Sequence, residues 1–246
     1  MICLIDSGIG GLLVYKELKK IRPELRVIYV ADNKNFPYGI KSPEEILDAV
    51  KDIEKGLKTF CLEKITIACH TASIVLENSP TNFSLITTTT KKLINQLNER
   101  GSVAILGSRA TIESGYYQKL FFEKGFEKIQ GFPLQDLIGL IENQITEESL
   151  LIKALEPLIA FSPEILLLGS THYPYLETLL VKLFPFSKIV NPSSQFALEI
   201  SANVLSPSKN DLDEDLFITT KHDPGFLRRL QKNPINNLLK KDVKRV

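Results

Sequence analysis

The chain is predicted to be an α/β protein built from two similar halves, and three observations carry that prediction. Short apolar runs alternate with amphipathic helical patterns almost from end to end, the signature of parallel sheets wrapped by helices. The runs are apolar throughout rather than alternating, as strands buried on both faces are. Lastly, Ser7 and Cys69 stand 62 residues apart, as do Ser108 and Ser170, and each pair frames the same local pattern.

In chain order, strands are expected at Ile2 to Ile5, Val27 to Val30, Ile65 to Ala68 and Leu85 to Ile86, with helices at Gly11 to Lys20, Pro43 to Cys61 and Thr71 to Glu77 between them. A second series has strands at Val103 to Leu106, Ile165 to Leu168 and Ile189 to Val190. Its helices are expected at about Ala110 to Lys124, Leu134 to Asn143, Glu147 to Phe161, Tyr175 to Leu183 and Ser194 to Leu205. The polar stretch Ser206 to Asp215 reads as a linker, after which a strand, Phe217 to Thr219, and a helix, Pro224 to Gln231, return to the first half. The expected division is residues 1–92 with 206–246, and residues 93–205.

At 246 residues the chain has room for one or two cores. A net charge of +1 supplies no global field for nucleic acid, and the basic end Lys240 to Arg245 reads as a solvated tail. No apolar run reaches the ~18 residues of a membrane span, and Met1 leads straight into a strand. The expectation is a cytoplasmic protein without membrane or nucleic-acid partners. Cys3, Cys61 and Cys69 form no C-x-x-C pair or disulfide framework, in keeping with a reducing compartment.

The chemistry gathers at two strand exits, Ala68-Cys69-His70-Thr71-Ala72-Ser73 and Gly169-Ser170-Thr171-His172-Tyr173-Pro174. Cys69 precedes a helix whose N-terminal dipole is expected to lower its thiol pKa; Cys3 and Cys61 read as inert. His172 beside a candidate site suits an acid or base role, whereas His222 reads as surface. No other ligand spacing accompanies Cys69 and His70, so no metal is expected. The loop Asp6-Ser7-Gly8-Ile9-Gly10-Gly11 lies between a strand and a helix, where backbone N–H groups gather. A dinucleotide fingerprint is one reading, helped by Asp32, but Leu13 occupies the third glycine position and Asp6 would repel a pyrophosphate. A structural turn and a small-ligand loop are the others, with Asp6 available to an ammonium group. Phe36-Pro37-Tyr38-Gly39 reads as a turn whose Tyr38 hydroxyl could close over a ligand carboxylate.

These residues together resemble the glutamate racemase family. The resemblance runs over essentially the whole chain: Asp6-Ser7-Gly8 with Gly10-Gly11, Tyr29-Val30-Ala31-Asp32 leading to Pro37-Tyr38-Gly39, Ala68-Cys69 with Thr71-Ala72, Thr111-Ile112 with Ser114 and Tyr117, Thr171-His172-Tyr173-Pro174, and Thr219-Thr220. It implies two similar flavodoxin-like, doubly wound α/β domains with mainly parallel sheets and the active site between them. It also implies interconversion of L- and D-glutamate for peptidoglycan by two cysteines acting as base and acid, with no cofactor. A homodimer is the assembly left open. Carried over by motif, Cys69 is the first thiol, serving the D enantiomer, and Ser170 stands at the second catalytic position, with Asp6 and His172 assisting. Ser7, Tyr38, Gly39, His70, Thr71 and Thr171 fall on substrate-binding positions, and Glu142 aligns with an acidic residue near the site.

Three departures stand out. His70 replaces the family's asparagine with a bulkier, titratable ring; Thr87-Thr88-Thr89-Thr90 replaces a Pro-Gly hinge; and Ser170 replaces the second cysteine. A hydroxyl ionises far less readily than a thiol and needs a neighbouring base, for which His172 is the candidate. A loss of ~10²–10⁴ is expected in the direction that begins at Ser170, while Cys69 still exchanges the α-proton of D-glutamate. The rival readings are an amino-acid-binding protein that has left catalysis, and a one-thiol enzyme of the wider superfamily acting on small dicarboxylic acids.

Overall fold

In a computed structural model of the chain, describing residues 1–205, 214–232 and 243–245, two parallel sheets carry the architecture. The first series runs β1 (Ile2–Asp6), α1 (Leu12–Ile21), β2 (Val27–Ala31), α2 (Pro43–Leu57), β3 (Lys64–Ile67), α3 (His70–Leu76), β4 (Ser84–Leu85) and α4 (Ile86–Gln96). The second runs β5 (Val103–Gly107), α5 (Arg109–Glu113), α6 (Tyr116–Glu123), β6 (Ile129–Pro133), α7 (Gln135–Glu142), α8 (Glu148–Phe161), β7 (Ile165–Gly169), α9 (Glu177–Leu183), β8 (Lys188–Val190) and α10 (Pro192–Ala202). The chain closes with β9 (Leu216–Thr219), α11 (Pro224–Lys232) and β10 (Val243–Arg245).

The six-stranded sheet has the order β10-β9-β2-β1-β3-β4, and the four-stranded sheet β6-β5-β7-β8. Position by position, β2-β1-β3-β4 matches β6-β5-β7-β8. The repeated spacing has its cause here: Ile2 sits opposite Lys64 and Val103 opposite Ile165, so β1 and β3, like β5 and β7, pair 62 residues apart. Both sheets are therefore in the same register.

Burial on both sheet faces explains why the strands read as solid apolar runs. In β1, Ile2 and Leu4 join a core beneath α1 and α10, while Cys3 and Ile5 point the other way into a core with Ile46, Val50 and Ile53 of α2. In β7, Leu166 and Leu168 face α7, α8 and α9, and Ile165 and Leu167 face Tyr117 and Phe121 of α6. At roughly 1.5–3 kcal/mol for each large side chain fully removed from water, these four clusters are the main driving force for the fold.

Several elements depart from the sequence reading. The helix expected over Ala110 to Lys124 is two, α5 and α6, separated by Gly115 in the left-handed region at φ 66°. The region around the threonine run is helical: Ile86–Gln96 form α4, with Thr90 Oγ1 donating back to Ile86 O at 2.9 Å. Strand β6 was not anticipated, and Val243–Arg245, read as tail, pair with β9. Helix α10 packs on α1 and α4, reaching across from the four-stranded sheet to the six-stranded one. Residues 206–213 of the expected linker, and 240–242 of the basic end, lie outside the described residues. Among the described residues no helix is long and apolar enough to cross a membrane.

Candidate active site

Parallel strands deliver their polar residues at one edge. Asp6 ends β1, Asp32 follows β2, Cys69 follows β3, Ser108 follows β5 and Ser170 follows β7. The glycine loop after β1 is where the two sheets' side chains meet. Asp6 Oδ2 accepts the N–H groups of Gly11 at 2.9 Å and Gly8 at 3.4 Å, so the loop closes on its own carboxylate. Those are the donors that a pyrophosphate would need, and the dinucleotide reading loses its basis.

From the other sheet, Glu142 at the end of α7 accepts the Ile9 N–H through both oxygens, at 3.3 and 3.2 Å. Thr171 Oγ1 donates to Asp6 Oδ1 at 3.3 Å. A Cβ at Gly8 would lie 2.7 Å from the Glu142 carboxylate oxygens; one at Gly10 would collide with Thr171 Oγ1 and sit 2.8 Å from His172 Nδ1. Glycine at these two positions is what lets the second half press onto the loop.

Two short chains of polar groups stand on this framework. In the first, Cys69 Sγ lies 3.8 Å from Ser7 Oγ, and both are buried. In the second, the His172 Nε2–H donates to Glu142 Oε2 at 2.7 Å while Nδ1 lies 3.5 Å from Ser170 Oγ, which also receives the His172 backbone N–H at 3.4 Å. The order carboxylate, imidazole, hydroxyl makes Ser170 the far end of a proton relay.

Thr71 Oγ1 meets Ser108 Oγ at 2.8 Å and Thr111 Oγ1 at 3.0 Å, and Ser108 caps α5 by accepting the Thr111 N–H. His70 Nδ1 contacts the Tyr117 hydroxyl at 2.5 Å. Gly39 lies so close to Ser108 and Gln135 that a Cβ there would strike both. The Tyr38 hydroxyl, read as closing over a ligand carboxylate, donates instead to Asp32 Oδ2 at 2.5 Å; Asp32 also accepts from Asn35 and Thr220. Its proton is therefore taken within the protein.

Burial sets the protonation states. It pushes the Asp6 carboxyl up to about 6, with the His172 charge and the Gly11 N–H pulling the other way. His172 is raised above the ordinary histidine value: burial opposes its charge, but the Glu142 hydrogen bond and the charges of Glu142 and Asp6 outweigh it. Two expectations are corrected. The Cys69 thiol was expected to be lowered by the helix that follows; burial, then the Asp6 charge, push it up to about 12, and the N–H groups of Ala72 and Thr71 and the Ser7 hydroxyl offset only part of this. His70 was expected to titrate; burial lowers it to about 3, leaving a neutral ring.

Of the residues picked out from sequence, Asp6, Ser7, Thr171, His172 and Glu142 thus meet at one glycine loop, with Cys69 joined to it through Ser7 and Ser170 through His172. Tyr38, Gly39, His70 and Thr71 are tied one step away through Asp32, Ser108, Gln135, Thr111 and Tyr117. Ser108 was missed as a site residue although its 62-residue spacing to Ser170 marked it as the counterpart of Ser7; Gln135 carried no signal. Among the described residues no group of three or more His, Cys, Asp or Glu side chains is arranged to hold a metal ion.

No family model matches the chain. Against curated proteins it is 34% identical over 197 residues to a glutamate racemase of Photorhabdus laumondii, covering 75% of this chain and 68% of the relative. It is 30% identical over 207 residues to a glutamate racemase of Carboxydothermus hydrogenoformans, covering 80% and 77%. Among solved structures, the glutamate racemase of Francisella tularensis in complex with D-glutamate superposes with a TM-score of 0.82 at 26% identity, over 100% of this chain and 96% of that one.

Proposed function

Since the chain belongs to the glutamate racemase family, we propose that it interconverts D- and L-glutamate in the cytoplasm for peptidoglycan, with Cys69 on one face of the α-carbon and Ser170 on the other. The observation that carries this reading is the meeting of two proton-transfer chains, Ser7 with Cys69 and Ser170 with His172 and Glu142, around a loop held from both sheets. The division into residues 1–92 with 206–246 and 93–205 belongs to the same reading. Membership of the two sheets supports it, with α10 packing across.

From D-glutamate, the Cys69 thiol first gives up its proton to the Asp6 carboxylate; the thiolate then takes the α-hydrogen, the C–H bond breaks, and its electron pair delocalises into the α-carboxylate. The Ser170 O–H then donates a proton to the opposite face while the protonated form of His172, which Glu142 and Asp6 favour, returns one to the serine oxygen. Starting from L-glutamate, Ser170 must be the base, and this needs a neutral His172. Asp6, near 6, is the group poised to exchange a proton with the Cys69 side at neutral pH.

The two enantiomers have equal free energy, so kcat/KM for net racemisation must be the same in both directions. The impairment expected from Ser170 therefore lowers both alike. The asymmetry appears in α-proton exchange without inversion, which Cys69 supports for D-glutamate and Ser170 scarcely supports for L-glutamate.

Chiral chromatography of D- and L-glutamate with the parent chain and with Ser170→Cys tests the reading directly. The cysteine variant is expected to racemise ~10²–10⁴-fold faster. Failure of both to invert either enantiomer, with no deuterium uptake into D-glutamate at high protein concentration, would overturn it and leave amino-acid binding as the activity.

A further inference from the structure

His70 and Tyr117 form a buried pair that proton transfer as described does not use. His70 opens α3 directly after Cys69, and Tyr117 comes from α6 on the other sheet; they are 2% and 0% exposed. The rings stand edge to face at 5.7 Å between centroids, with Nδ1 2.5 Å from the phenol oxygen. Burial keeps both groups uncharged, His70 lowered to about 3 and Tyr117 raised well above the ordinary tyrosine value.

A neutral imidazole carries one N–H, and its neighbours decide on which nitrogen. The buried Tyr117 hydroxyl has two acceptors within reach, Thr90 Oγ1, whose own proton goes to Ile86 O, and His70 Nδ1, and the short 2.5 Å contact assigns the phenol proton to Nδ1. The proton of the imidazole then sits on Nε2, which is buried and has no hydrogen-bond partner among the described residues. Buried donors without acceptors are uncommon in native proteins, and one beside a candidate catalytic thiol is accounted for by a ligand oxygen.

We propose that Tyr117 is a positioning residue that holds His70 as the Nε2–H tautomer, so that the ring presents a fixed, uncharged donor to a carboxylate oxygen of the substrate beside Cys69. The identity of that substrate rests on the racemase reading. The tautomer itself does not. Because the two residues come from different sheets, the donor is set only where α3 and α6 are in contact.

The chain holds three histidines, His70, His172 and His222, so ¹⁵N-histidine NMR resolves each ring. His70 is expected as the Nε2–H tautomer, unchanged between about pH 5 and 9, with its Nε2 signal moving saturably on addition of D-glutamate. Tyr117→Phe should mix the tautomers and raise KM for D-glutamate α-proton exchange about tenfold, with kcat nearly unchanged. An amide N–H needs no tautomer, so in a His70→Gln background the same Tyr117→Phe change should cost less than about twofold.

An Nδ1–H signal for His70, with Tyr117 donating to Thr90 instead, overturns the proposal. So does an equal cost of Tyr117→Phe in both backgrounds, which would make the tyrosine a packing residue. If D-glutamate moves the His172 signal and leaves His70 Nε2 in place, the donor role fails while the racemase reading stands. If it moves neither, both fail.

Discussion

At the scale of single residues, His172 is poised between two duties. Its Nε2–H is held by Glu142, which fixes the tautomer and leaves Nδ1 to face Ser170. With its pKa raised, the ring keeps a proton to give to Ser170 up to higher pH than an ordinary histidine would, and gains the ability to accept one as pH climbs through the raised value. Deuterium exchange into L-glutamate is therefore expected to rise as pH passes above the ordinary histidine value, and His172→Asn should flatten that rise. A second prediction concerns Gly10. Its missing Cβ is the space that Thr171 and His172 occupy, so Gly10→Ala should displace them and cost roughly 10² in α-proton exchange. Circular dichroism would confirm an intact fold. The residues with a direct chemical signature, Cys69, His172 and Asp6, were legible in the sequence. Their protonation states were not, because burial outweighs the local helix and charge effects that a sequence displays.

Among the elements, long apolar strands were legible because each is covered on both faces. Helix α4 was not, since Thr87 to Thr90 are β-branched residues of low helix propensity; packing fixes the helix, with Ile86, Thr87, Thr89, Thr90 and Ile94 all buried. Strand β6 was hidden for the opposite reason. It is an edge strand in which only Phe132 is fully buried, so it lacks the solid apolar run of its neighbours. The break between α5 and α6 was invisible because a left-handed residue leaves no periodicity signal. Gly115 has open space where a Cβ would sit, so Gly115→Ala brings only backbone strain. A loss of ~1 kcal/mol is expected in urea unfolding, with exchange activity retained.

For the whole molecule, Asp6 and His172 couple folding to pH with the same sign. Asp6 has a folded pKa near 6, above its ordinary value, so the folded chain holds a proton that the unfolded chain releases between about pH 4 and 6. Its contribution is complete below that window and is lost as pH rises through it. His172, also raised, contributes below its ordinary value and loses that contribution as pH climbs through the raised one. Resistance to urea should thus decline from pH 4 to pH 8, and Asp6→Asn should abolish the part of the decline below about pH 6.

The order of the six-stranded sheet sets a timetable for synthesis. Strand β9 pairs with the outer edge of β2, and its Phe217 packs on Tyr15 and Tyr29, yet it follows the entire four-stranded sheet in the chain. A ribosome has made β5 to β8 before Leu216–Thr219 exist, so the nascent protein holds a bare, hydrophobic β2 edge through most of its translation. Birth from the N-terminus therefore completes the second sheet first and the first sheet last, and exposes β2 to wrong partners during the interval.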